Sequence, residues 1–185
     1  DSAHRDRRAA GPRQLMIGIV ASRGIAGLLL VFAESAAAED GDRDTGVLEI
    51  ALKGQSLVAR IKIPADQVVG FAHVAGNDEE KMAVTDALAR LGEARNVVEP
   101  VPEAGCTVSR QHAETTLMPP AEPPPAVFRG RYTWRCERPE ALVAVDLPLL
   151  EFVNGVPLDT PVAGPEGDYR RTLRAPQTRV PLVED

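Results

Sequence analysis

Between Val127 and Cys136 the chain alternates without a break: Phe128, Gly130, Tyr132, Trp134 and Cys136 fall on one side, Arg129, Arg131, Thr133 and Arg135 on the other. A period of two carried by aromatic and β-branched residues is the signature of a half-buried strand. Aromatic residues make up only 4 % of the sequence, and this stretch concentrates them on one face. That face needs a core, so the segment reads as the central strand of the domain.

The segments around it supply the rest. Val47–Leu52 and Leu57–Ile63 both alternate, and the short Gly-containing link Lys53–Ser56 between them predicts a hairpin. Leu48, Ile50 and Leu52 form one inward face and Leu57, Ala59, Ile61 and Ile63 the other, which leaves Arg60 and Lys62 in water. Pro64 ends the second strand because it has no N–H to donate. After the loop Val69–His73, Asn77 followed by Glu80 has the spacing of a capping box, and Val84, Ala87, Leu88 and Leu91 mark the buried stripe of a helix ended by Gly92. The prolines of Val97–Pro102 limit that stretch to an edge. Further strands are expected at Thr107–His112, Glu140–Leu147, Val156–Val162 and Tyr169–Arg174, with a helical turn at Leu149–Val153. The run Met118–Pro125 (MPPAEPPP) predicts a stiff, Pro-rich loop. The resulting order, ββαββββ with one long helix, is an α+β domain on a mostly antiparallel sheet.

Charge and address narrow the function classes. A net charge of −6 and a pI near 5.2 argue against a nucleic-acid partner, whose phosphates require clustered cations. Residues Met16–Ala38 read as a secretory signal: Arg23, the apolar run Ile25–Ala33, then the small residues Ala36–Ala38. The apolar run is too short to span a bilayer, so membrane contact is expected only during export. Residues 1–15 lie upstream of that signal and read as an over-long start. Cleavage after Ala38 leaves one domain, residues 39–185, and removes five arginines and three acids, for a net charge of −8. The expected location is the periplasm.

An exported chain with two cysteines is expected to oxidise them. Cys106 opens one strand and Cys136 closes the next, and in an antiparallel pair those points are neighbours. For metal, the exported part keeps only His73 and His112, a thin supply against the four ligands of a structural zinc site. Asp40, Asp42 and Asp44 resemble the start of a calcium loop but lack the acid at its twelfth position. No G-x-S-x-G motif occurs, and with the cysteines paired no thiol is left for a histidine to activate. An enzyme would need polar groups converging around His73, Asp86 or Arg131, so the sequence predicts no catalytic residues.

Several pieces together resemble one bacterial family, the ZrgA-type periplasmic zinc-binding proteins: the hairpin LEIALKGQSLVARIKIP, then VGFAH, then AGC, then F-x-x-x-Y-x-W-x-C followed by Pro139-Glu140-Ala141-Leu142. The resemblance runs from Val47 to Leu182. It implies a non-enzymatic periplasmic protein linked to zinc uptake, with a metal transporter or another periplasmic protein as partner. It also implies histidine-rich elements at two places where this chain departs from them. The segment before the first strand reads Asp40-Gly41-Asp42-Arg43-Asp44-Thr45-Gly46 instead of His-x-His-Gly, and the loop between the cysteine strands is MPPAEPPP. Among the matched positions only His73 is a histidine, so it is the one candidate zinc ligand and the expected binding is weak or lost.

Overall fold

Two sheets share one core in the structure, a computed structural model that describes residues 45–119, 125–153 and 155–182. The expected signal segment, the Asp40/Asp42/Asp44 run and residues 120–124 of the Pro-rich loop lie outside the described residues. The larger sheet has six strands in the order β4-β5-β2-β1-β7-β8. These are β1 (Gly46–Lys53), β2 (Ser56–Pro64), β4 (Cys106–Thr115), β5 (Val127–Cys136), β7 (Leu158–Gly164) and β8 (Gly167–Leu173). The smaller sheet joins β3 (Glu99–Pro100), β6 (Ala144–Asp146) and β9 (Arg179–Pro181) in the order β3-β6-β9. With α2 (Asp78–Gly92) as the one long helix among the described residues and mostly antiparallel pairing, the class is α+β, as the sequence predicts.

The hairpin forms as its alternation dictates. Lys53 pairs with Ser56 across a two-residue turn, and Gly54 takes φ +58°, a conformation that glycine adopts without a Cβ penalty. Leu48, Ile50, Leu57, Ala59, Ile61 and Ile63 are all buried, while Arg60 and Lys62 are exposed. On β5 the division also holds: Phe128, Tyr132, Trp134 and Cys136 are buried, and the arginines lie on the other face. The position of β5 differs from the expected central one. It is second from an edge, with the β2–β1 pair in the middle of the sheet. The reason is that, among the described residues, β4 pairs only with β5, from Cys106↔Cys136 to Thr115↔Phe128, and stands at the end of the strand order.

Prolines and long-range pairings account for the other differences. β1 also pairs with β7 in parallel, Gly46↔Leu158 and Val47↔Asp159, then Ile50↔Val162 and Ala51↔Ala163. The intervening ladder is skipped where Pro161, with no N–H, sits inside the sheet. The expected strand Glu140–Leu147 splits, because Pro139 starts a 3-10 turn over Pro139–Ala141 and leaves only Ala144–Asp146 for β6. A short helix α1 (Asp66–Val69) precedes the Val69–His73 loop, and α3 (Leu149–Phe152) supplies the expected helical turn. The strand β9 falls where the sequence carries no alternating run and forms by pairing with β6.

The core sits between the inner face of the large sheet and the remaining elements. Val84, Ala87 and Leu91 of α2 meet it from one side, and Val145, Leu147, Leu149 and Val180 from the small sheet and its connections complete it. Leu88, also placed on the buried stripe, is partly exposed. Burying a side chain the size of Phe128 contributes roughly 1.5–3 kcal/mol. At the edge, Cys106 and Cys136 form a disulfide with an S–S distance of 2.06 Å. Closing a loop of this length contributes on the order of 3 kcal/mol in the chain-entropy account. The opposite face of β1, β2, β5 and β4 carries the exposed charged residues.

Candidate functional site

His73 lies in the loop between α1 and α2, and the start of α2 determines what it meets. Asn77, extended at φ −123°, caps the helix by accepting from the Glu80 backbone N–H at 2.9 Å. In a capping box the acid three residues on reaches back to the cap residue itself. Here Oε2 of Glu80 accepts most closely from the Gly76 N–H, at 2.7 Å, one residue earlier. That leaves Oε1 to face His73 Nε2 at 3.2 Å. The Gly76 amide is the main cause that holds the Glu80 carboxyl below its ordinary value of 4.5, against some desolvation, and His73 lowers it further. Phe71 packs its ring 4.9 Å from the imidazole. The His73 side chain is still 61 % exposed, so the pair sits at the surface.

His112 is elsewhere. It stands on β4 opposite Arg131, with Glu114 Oε2 at 3.6 Å from its Nε2. The two histidines therefore each meet a different carboxylate. Among the described residues, no group of three or more His, Cys, Asp or Glu side chains is placed to hold a metal ion. His73 brings one nitrogen and Glu80 one oxygen, and the other Glu80 oxygen is taken by a backbone amide. This donor set does not fit a tight zinc site, which takes four ligands from thiolate, imidazole and carboxylate groups.

A depression lies on the outer face of the large sheet. It is a shallow groove of about 310 Å³ across β1, β2, β5 and β4, lined by Glu49, Arg60, Lys62, His112, Arg129 and Arg131, with Val47, Ile61, Gly130 and Glu114 completing it. Register explains the crowding: Arg60 is directly opposite Arg131, and Lys62 opposite Arg129. Arg60 is also paired with Glu49 at 3.2 Å. Neither histidine hydrogen-bonds a serine, threonine or cysteine among the described residues. Asp86 is an exposed residue of α2 and does not line this groove.

A family model described as ZrgA family zinc uptake protein matches residues 42–182. The chain belongs to that family. No curated protein matches it. The ZrgA match agrees with the resemblance carried by the hairpin, VGFAH and the cysteine strands, and the family is one of zinc uptake proteins. The disulfide of this ZrgA family member joins the two strands that its sequence pattern pairs. No helix among the described residues is long and apolar enough to cross a membrane.

Two features of the site escape a reading of the sequence alone. Glu80 is legible as a capping residue, but its contact with His73 is not, nor is its closest hydrogen bond, which comes from the Gly76 N–H. The basic groove is legible only once β2 and β5 are put in register, since each strand taken singly shows ordinary arginines and lysines facing water.

Proposed function

We propose that this ZrgA family member is an exported, periplasmic, non-enzymatic protein in which zinc binding is weak or lost, and which serves zinc uptake through contact with another periplasmic protein, such as a component of a metal transporter. The observation that carries this reading is the donor set at His73, one imidazole beside one carboxylate whose second oxygen is engaged by the Gly76 amide. Such a pair supports a partly hydrated, low-affinity site. The Cys106–Cys136 bond suits an oxidising compartment, in line with the leader expected at Met16–Ala38.

The test is thermal unfolding with and without micromolar zinc, because a metal that binds only the folded state raises the midpoint by mass action. No appreciable rise is expected, and His73→Ala leaves the zinc response unchanged. A large zinc-dependent rise that His73→Ala abolishes would overturn the reading and make His73 the anchor of a functional metal site.

A further inference from the structure

The outer face of the large sheet is basic on a chain whose overall charge is −6. Two like-charged pairs, Arg60↔Arg131 and Lys62↔Arg129, face each other directly across β2 and β5 in adjacent rows. Like charges directly opposite on one face destabilise a sheet, so the Arg60↔Arg131 pairing works against folding. Glu49 offsets part of it through Arg60, but that is an exposed pair, and such pairs contribute about 0–1 kcal/mol. Among the described residues, no carboxylate lies within ion-pair distance of Lys62 or Arg131. Both line the groove.

We propose that this groove docks an acidic, extended polypeptide segment of a partner protein, with carboxylates received by Arg131 and Lys62. The inference rests on the contact reading above and names the chemistry of the contact. Charge complementarity selects the class of occupant. A guanidinium takes a carboxylate in a two-pronged hydrogen-bonded pair, and Lys62 and Arg131 stand diagonally across β2 and β5, roughly 7–8 Å apart at the backbone, which suits carboxylates on alternate residues of an extended segment, whose side chains share one face. Glu49 and Glu114 inside the groove favour a partner with a discrete pattern of charge over the uniform negative field of a membrane. The depression is open and shallow, and it crosses the strands, which suits a chain laid over it.

The probe is a labelled glutamate oligopeptide, titrated against the full-length protein at low and at physiological salt. Binding that weakens with salt is expected. Arg131→Glu should weaken it roughly tenfold, the loss anticipated for one charge-assisted hydrogen bond. Arg90→Glu makes the same charge change on α2, which packs on the opposite face of the sheet, and should leave binding within about twofold of the parent. Because Arg131→Glu removes like-charge repulsion, its unfolding midpoint should equal or exceed the parent's, so lost binding cannot be ascribed to lost fold. Equal weakening by the two substitutions, or no binding by the parent, overturns the proposal. So does an Arg131-dependent dimer seen by sedimentation, or Arg131-dependent binding to phosphatidylglycerol vesicles without binding to the peptide. None of these results depends on zinc, so the weak-metal reading stands or falls separately on the melting experiment.

Discussion

The hydroxyl of Tyr132 on β5 donates to the backbone carbonyl of Leu91 at 2.6 Å, tying the last turn of α2 to the inner face of the large sheet. Leu91 is near the helix end, where carbonyls have no partner within the helix. Tyr132 is fully buried, and burial pushes its phenol pKa above the ordinary value, so the group stays a neutral donor. A buried carbonyl and a buried hydroxyl thus satisfy each other.

Tyr132→Phe keeps the ring and removes the donor. Leaving the Leu91 carbonyl without its partner should cost about 1–3 kcal/mol. Urea unfolding should show the midpoint falling with little change in slope.

Gly130 faces the same ring from one pleat away. A Cβ there would lie 2.7 Å from Tyr132 Cζ and 2.9 Å from Ile61 Cγ1, with the Tyr132 hydroxyl closer still. The ring cannot swing aside without breaking its bond to Leu91. Gly130→Ala should therefore lose about 1–3 kcal/mol by overpacking. Because both changes act on one contact, the double variant with Tyr132→Phe should lose less than the sum of the singles, as urea titration of all four proteins would reveal.

The shape of the fold was legible where one periodicity decided it. The hairpin, the α2 stripe and the two faces of β5 follow from alternation or from i, i+3, i+4 spacing, and the disulfide follows from the ends of two neighbouring strands. What could not be read depends on partners distant in sequence. Nothing near Gly46 points to Leu158, and β9 is too short to show a pattern. Pro139 and Pro161 mark breaks without saying what forms instead. At the candidate site, His73 was visible as a lone histidine, whereas its carboxylate partner and the basic groove arise from the Glu80 carboxylate accepting from the Gly76 N–H and from cross-strand register.

Glu80 gives the site a dependence on acid. Its carboxyl is held below 4.5 in the folded state, chiefly by the Gly76 amide and then by His73. A depressed folded pKa stabilises the protein above the unfolded pKa, and the contribution disappears as pH falls through the folded value. Glu80→Gln should therefore be less stable than the parent at neutral pH, with the difference shrinking below about pH 4. Chemical denaturation of the two proteins at pH 7 and pH 3 checks this.

The parallel register of β1 with β7 makes the order of synthesis matter. β1 can close on β2 locally, but its other edge waits for Leu158–Gly164, more than a hundred residues later by the numbering. Contacts so far apart close slowly, since the intervening loop must first be ordered. Until β7 is available, β1 presents unpaired backbone along an apolar strand, the kind of edge that recruits strands from other chains. A nascent chain that stalls before Leu158 should thus expose β1 as an edge open to aggregation.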